Sequence, residues 1–243
     1  MPTFIKIIYV ILFLALAFQP HFSRHIGAVP KPYIESLVTV IIVAIAYLIF
    51  HLHRRQIHKQ VDQIKVYDKR VSELQHQAFY DPLTGLPNRL LLKDRIVTAI
   101  SSAKRYNQQV AILFLDLDRF KIINDTFGHK VGDLLLQEVG KRLQRHVREI
   151  DTVTRLGGDE FVVVLNEQNS PEGVIKVVES IMETLNRSYL IEGLEIATSA
   201  SIGITVYPQH GQDQDLLLKR ADETLYKVKK QGGKNYQFYN IIL

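Results

Sequence analysis

The 243-residue chain is long enough for one ordinary domain with an appendage. It contains no cysteine, which excludes disulfides and Cys-ligated zinc. The formal charge of +5 includes cations gathered behind an apolar segment, at Arg54, Arg55, Lys59 and Lys65. No Arg/Lys stripe with interleaved aromatics appears elsewhere, so a membrane flank accounts for the excess better than a nucleic-acid partner does.

Residues 1–53 read as a membrane anchor. Ile7–Phe18 is an unbroken apolar run preceded by Lys6. It falls short of the roughly 20 residues that cross a bilayer, unless the helix extends over about 4–19 and Lys6 snorkels. The same run resembles a signal-peptide core with Ala15-Leu16-Ala17 as its cleavage site. Both readings stay open. Tyr33–Leu52 is the better span, expected as a helix over about 33–52. His51, His53, Arg54, Arg55, His58 and Lys59 follow it, and the positive-inside rule places that end in the cytoplasm. Everything after residue 52 is then cytoplasmic on either reading.

Residues 54–79 contain neither Pro nor Gly and read as a helical stalk. Apolar residues fall at Ile57, Val61, Ile64, Val71, Leu74 and Ala78, a heptad seam broken at Asp68. This suits a parallel dimer contact, the competing reading being a lone amphipathic connector. Asp81-Pro82-Leu83-Thr84-Gly85-Leu86-Pro87-Asn88-Arg89 then makes a rigid turn. A domain is expected over 80–243. Asn88 can cap the next helix, whose apolar side is Leu91, Ile96, Ala99, Ile100 and Ala103.

Val110–Leu115 is a continuous apolar run, as in a strand buried on both faces. It ends in Asp116-Leu117-Asp118. Carboxylates beyond the carboxyl end of such a strand sit where open α/β sheets bind ligands, and D-x-D puts both on one side of an extended chain, which favours a cation. Phe120 and a polar elbow from Asn124 to Asp133 follow, leading into a helix with Val131, Leu134, Leu135, Val139 and Leu143 as its apolar face. Asn124 and Asp133 offer mixed donors and acceptors suited to a nucleobase edge. His129 taken alone is more often structural than catalytic.

Asp151–Thr154 and Val162–Leu165 read as strands, and Gly157-Gly158 between them as a hairpin. A plain turn does not need the adjacent carboxylates Asp159 and Glu160, which repel each other. They suit a divalent metal, and bare glycine backbone lets a phosphate approach. Beyond lie a helix over about 171–187, a strand over 196–207, a helix over about 213–231 ended by Gly232-Gly233, and a strand over 236–239. Lys227, Lys229, Lys230 and Lys234 crowd the last helix end, where cations complement the helix dipole and can reach phosphates. The order αβαββαβαβ implies an α/β (α+β) domain, one mostly antiparallel sheet of about five strands flanked by helices.

Five blocks together resemble the GGDEF domain of diguanylate cyclases. They are DPLTGLPNR at 81–89, DLDRFKIINDTFGHKVGD at 116–133, RLGGDEF at 155–161, SASIGI at 199–204 and ADETLYKVKKQGG at 221–233. The resemblance spans roughly residues 80–240 and implies a fold like nucleotidyl cyclases and polymerase palms. It implies condensation of two GTP to cyclic di-GMP with release of two pyrophosphates, by a homodimer. The anchor read over residues 1–53 adds a place at a bacterial inner membrane. By the same resemblance Asp116 and Asp159 bind Mg²⁺ or Mn²⁺ through side chains, Leu117 through its carbonyl, and Glu160 as a further carboxylate. Asn124 and Asp133 would read guanine, with His129 near the nucleotide and Phe120 and Leu83 lining the pocket. Gly157 and Gly158 would admit the phosphates, and Lys229 would hold a terminal one.

Arg148-Glu149-Ile150-Asp151 matches the family's inhibitory R-x-x-D site for cyclic di-GMP. Gly233 stands where the family commonly has an Arg, leaving Lys234 as a substitute charge. The alternative reading is a catalytically weak or inactive receptor for cyclic di-GMP or GTP. The intact turn speaks against it.

Overall fold

The computed structural model describes Phe13, residues 31–168 and residues 170–240. The first apolar run therefore lies outside the described residues, apart from Phe13. The chain divides into two compact units between Ser72 and Glu73.

Helix α1 (Lys31–Phe79) runs unbroken through the positions expected as span and stalk. No Pro or Gly follows Pro32 to interrupt it. Among the described residues it is the one helix long and apolar enough to cross a membrane, with a mean hydropathy of 2.3 in its most apolar 18-residue window.

The second unit holds helix α2 (Arg89–Tyr106), strand β1 (Gln109–Asp118), helices α3 (Phe120–Phe127) and α4 (His129–Arg145), and the hairpin β2 (Thr152–Gly157) and β3 (Glu160–Gln168). Helix α5 (Pro171–Leu185), the short strands β4 (Tyr189–Ile191) and β5 (Leu194–Ile196), strand β6 (Ser199–Tyr207), helix α6 (Gln214–Lys230) and strand β7 (Tyr236–Phe238) follow. Five strands form one sheet in the order β2-β3-β1-β6-β7. All pairings are antiparallel except β6 with β7. The expected architecture is present. The small β4–β5 sheet is an addition, and the strand expected from Ile196 is interrupted at Ala197-Thr198 before β6 begins.

Strand β1 is central, and its side chains alternate between two cores as the strand period requires. Ala111, Leu113, Leu115 and Leu117 face the core built with α4 and α5. Val110, Ile112 and Phe114 face the core built with α2 and α6. Asn88 caps α2, its side chain accepting from the amides of Leu90 and Leu91 at 2.9 and 3.2 Å. Leu92, rather than the expected Leu91, is the buried residue at the start of that helix, and Leu136 is buried in α4 where Leu134 was expected.

Candidate active site

The carboxylates converge at the carboxyl end of β1. Asp116 lies opposite Glu160 across the β1–β3 ladder and opposite Ser201 across the β1–β6 ladder. Asp159 sits in the two-residue hairpin loop beside Glu160, with Gly158 at φ 54° as the first loop residue, a conformation glycine accepts at little cost. Asp116 is 8% exposed. Burial pushes its carboxyl up to about 6, and the charges of Asp159 and Glu160 push the same way. Lys229 opposes the shift, its Nζ 2.5 Å from Asp116 Oδ1.

Lys229 reaches this point because α6 is seated very close to the sheet. A Cβ on Gly203 of β6 would come 2.1 Å from the Ala221 carbonyl oxygen and 2.4 Å from the Leu225 nitrogen. Only glycine admits the helix there. Asp213 caps α6, accepting from the amide of Leu216 at 2.9 Å.

Asp118, two residues beyond Asp116, is differently engaged. Its Oδ1 accepts from the Ser201 hydroxyl at 2.7 Å, and its Oδ2 accepts from the Ser199 hydroxyl at 2.5 Å and the Lys234 amide at 2.9 Å. The two members of the D-x-D pair are therefore not equivalent: β6 hydroxyls and a backbone amide hold the second, whereas the first faces Glu160 and Lys229.

Among the described residues no three acidic or imidazole side chains form a closed metal cage. Mg²⁺ does not need one, since it keeps several waters and takes one or two carboxylates together with substrate phosphates. A carboxylate raised first by burial and then by its acidic neighbours is one whose charge a cation would stabilise, and its donors are hard oxygens. Asp116 and Glu160, which face each other across the β1–β3 ladder, are donors of the kind that Mg²⁺ or Mn²⁺ takes.

Arg155, to which the motif reading gave no role, locks the hairpin. Its Nη1 donates to both carboxylate oxygens of Asp81 at 2.9 Å. Its Nε and Nη2 donate to the Gly158 carbonyl at 3.0 and 2.8 Å. Burial alone would raise the Asp81 carboxyl, but the Thr84 hydroxyl and amide and the Arg155 guanidinium more than offset this and hold it below its ordinary value. One side chain thus ties the turn after α1 to the carbonyl beside Asp159. The signal available in the sequence was an Arg two residues before Gly-Gly together with an early Asp.

The expected base-reading residues share the α3–α4 elbow. Phe120 is buried in the core at the start of α3. Asn124 and Phe120 press against Gly132, where a Cβ would lie 1.9 Å from Asn124 Oδ1 and 3.2 Å from Phe120 Cζ. Asn124 Oδ1 is buried with no hydrogen-bond partner, a polar group waiting for one. Asp133 follows Gly132 and is exposed, as is His129 at the start of α4. Leu83 packs on the core, and its carbonyl accepts from Gln137 Nε2 at 3.0 Å.

Arg148 and Asp151 lie apart from these groups, on a tight turn before β2. Asp151 Oδ2 accepts from the Arg148 amide at 3.0 Å and Oδ1 from the Asn166 amide at 2.8 Å. A carboxylate has about four lone-pair positions, so two remain. Both residues line a cleft of about 570 Å³ together with Arg95, Tyr80 and Gln144.

The model of the family described as "Diguanylate cyclase, GGDEF domain" matches residues 78–235. The chain is 40% identical over 203 residues to MucR, a bifunctional diguanylate cyclase/cyclic di-GMP phosphodiesterase of Pseudomonas aeruginosa, covering 84% of this chain and 30% of that protein. It is 39% identical over 171 residues to the diguanylate cyclase TpbB of the same species, covering 70% of this chain and 39% of that protein. The chain thus spans about a third of the length of these relatives. The solved GGDEF domain of TpbB superposes with a TM-score of 0.65 at 36% identity, covering 66% of this chain and 94% of that one. The GGDEF domain of DgcB from Caulobacter crescentus, solved in complex with c-di-GMP, gives 0.62 at 26% identity, covering 68% and 94%. With the family model covering more than half of its residues and the carboxylates of the motif gathered at the end of β1, the chain belongs to the GGDEF family of diguanylate cyclase domains.

Proposed function

We propose that this chain is a membrane-anchored diguanylate cyclase that works as a homodimer and joins two GTP into cyclic di-GMP. The observation that carries this reading is the buried Asp116 carboxylate, raised to about 6, beside Asp159 and Glu160 and held by Lys229. In each of two steps the 3′-oxygen of one GTP attacks the α-phosphorus of the other, and the bond to pyrophosphate breaks. Bound Mg²⁺ or Mn²⁺, held by Asp116, Asp159, Glu160 and the Leu117 carbonyl, supplies Lewis acidity to the hydroxyl and the phosphates. The chain's residues position the reactants. Asn124 and Asp133 grip the guanine edge, and Phe120 and Leu83 back the base. Gly157 and Gly158 leave room for the phosphates. Lys229 exchanges its Asp116 partner for a terminal phosphate, so it neutralises charge before and after substrate enters. Each protomer carries one GTP, and dimerisation supplies the proximity of the second.

The domain plan is an anchor over 1–53, a stalk over 54–79 and a catalytic domain over 80–243 in the cytoplasm of a bacterial inner membrane. Helix α1 supports the anchor by its length and apolarity. The Arg148–Asp151 cleft is the feedback site for cyclic di-GMP: Arg can clasp a phosphate or a guanine Hoogsteen edge with two bonds, and the free lone pairs of Asp151 can accept from guanine N–H groups.

The test is purified chain with GTP and Mg²⁺, with and without added cyclic di-GMP. Cyclic di-GMP is expected to form, and added product to slow the reaction. Asp159→Ala is expected to remove synthesis by about 10²-fold or more, the usual range for losing electrostatic stabilisation at a reacting centre, with an unchanged circular-dichroism melt. Full activity in that variant contradicts the assignment.

A further inference from the structure

We infer that Asp118 is a positioning residue, which pins the loop after α6 and so fixes the cationic end of the substrate site. The inference rests on the reading of the site as a GTP site.

Both carboxylate oxygens of Asp118 are engaged, by the hydroxyls of Ser199 and Ser201 and by the amide of Lys234. Its backbone carbonyl accepts from the Thr198 hydroxyl at 3.1 Å. Of these partners, only Lys234 lies outside the segment that enters β6. The loop it belongs to begins where α6 ends: the Gly232 amide donates to the Lys229 carbonyl and the Gly233 amide to the Val228 carbonyl, each at 3.1 Å. Lys234 has φ 54° and Gly233 has φ 70°, so the loop makes a tight left-handed reversal. With Gly232 at φ 111°, three residues in a row have positive φ, the last of them a lysine; such a turn needs an external restraint, and the Asp118 carboxylate supplies it.

The fit is close. A Cβ on Gly233 would lie 2.8 Å from Asp118 Oδ1 and 3.1 Å from Ser201 Oγ. Gly233 is therefore matched to the Asp118 carboxylate in this chain. Any side chain there would displace the contact as well as strain the backbone. Asp116 and Asp118, on the same side of one strand, divide the work. The first holds the Lys229 side chain, and the second holds the main chain of the turn that starts beneath Lys229 and ends at Lys234. Loss of the second contact frees the loop, and both lysines lose a fixed position relative to the phosphates.

The test compares the full-length chain with Asp118→Asn, Ser201→Ala and, as a reference, Asp116→Asn. Asn at 118 keeps one acceptor but sets an N–H₂ against the Lys234 amide or a serine hydroxyl. Ser201→Ala removes one bond to Asp118 and leaves the charge, which keeps the experiment informative if Asp118→Asn does not fold. The expected results are a KM for GTP raised about tenfold in Asp118→Asn, equivalent to about 1.4 kcal/mol of binding, with kcat changed much less, because uniform binding is what is lost. The half-saturating Mg²⁺ concentration stays at the wild-type value, whereas Asp116→Asn shifts it. Hydrogen exchange at the amides of residues 232–235 accelerates in Asp118→Asn and, to a smaller extent, in Ser201→Ala. A shift in Mg²⁺ dependence matching that of Asp116→Asn would overturn the inference, as would unchanged exchange at 232–235. The exchange measurement needs no turnover. If wild-type protein makes no cyclic di-GMP, the cyclase reading fails while the role of Asp118 in holding the loop is still decided.

Discussion

Burial and the charges of Asp159 and Glu160 raise the Asp116 carboxyl to about 6, against 3.8 for the ordinary side chain, in spite of Lys229. A folded-state value above the unfolded one means that the native protein binds a proton more readily than the unfolded chain does. Between the two values, stability falls as pH rises, and above about 6 the charged carboxylate is a fixed burden on the fold. The expected outcome for Asp116→Asn in the metal-free protein is a melting temperature raised by a few degrees at pH 7. That gain should shrink as pH is lowered toward the ordinary carboxylate value, where the native Asp is also neutral. Cyclic di-GMP synthesis should be lost in the same variant. Calorimetry in EDTA across that pH range checks the first point, and a variant less stable than wild type at pH 7 refutes it. Asp81 behaves oppositely: its lowered value makes the bond to Arg155 stabilising above the ordinary carboxylate range and lost on acidification below it.

At the scale of elements, the site depends on how close α6 comes to β6. Gly203 fixes that distance, because a single added methyl group meets backbone atoms of α6 at 2.1 and 2.4 Å. Backbone cannot rotate away as a side chain can, so Gly203→Ala must lift the helix or bend the strand. A loss of about 1–3 kcal/mol is expected, typical of overpacking. Lys229 would also be withdrawn from Asp116, lowering activity more than the stability change alone explains. Chemical denaturation and the GTP assay at a temperature well below the melt separate the two effects. The elements that carry Asp116, Asp159 and Glu160 were legible from the chain. Val110–Leu115 is a short continuous apolar run, as in a strand buried on both faces, and Gly157-Gly158 between β-branched flanks marks a hairpin. The strands β4 and β5 were not legible, because three residues are too few to establish a period. The different fates of Asp116 and Asp118 were hidden for another reason. Strand periodicity puts both on one side, but what each meets is decided by α6 and β6, which lie far along the chain. Arg155 escaped notice likewise, since its partner Asp81 is brought near only by the fold.

For the whole molecule, the proposed reaction between two substrates held on two protomers would require something to hold the protomers together. The exposed apolar residues of α1 would offer it. Ile57, Val61, Ile64, Val71 and Leu74 are each between 43% and 58% exposed and fall on the heptad seam. In a parallel pair these positions would meet a second copy and bury the same apolar surface. The seam then turns an encounter between two domains into a tethered one, with an effective concentration on the order of millimolar. Val61→Glu with Val71→Glu puts like charges face to face along such a seam. Each catalytic domain keeps its own core, so its melting temperature is expected to stay the same. The rate of cyclic di-GMP formation per molecule should fall by more than about tenfold at submicromolar protein, since a free encounter replaces the tethered one. It should also become proportional to protein concentration, recovering as the protein is concentrated. Sedimentation in detergent, run beside the rate measurement, shows whether the dimer is lost in parallel. A specific activity in the double variant that equals wild type and does not vary with dilution would mean that the two halves of the site are brought together by some surface other than α1.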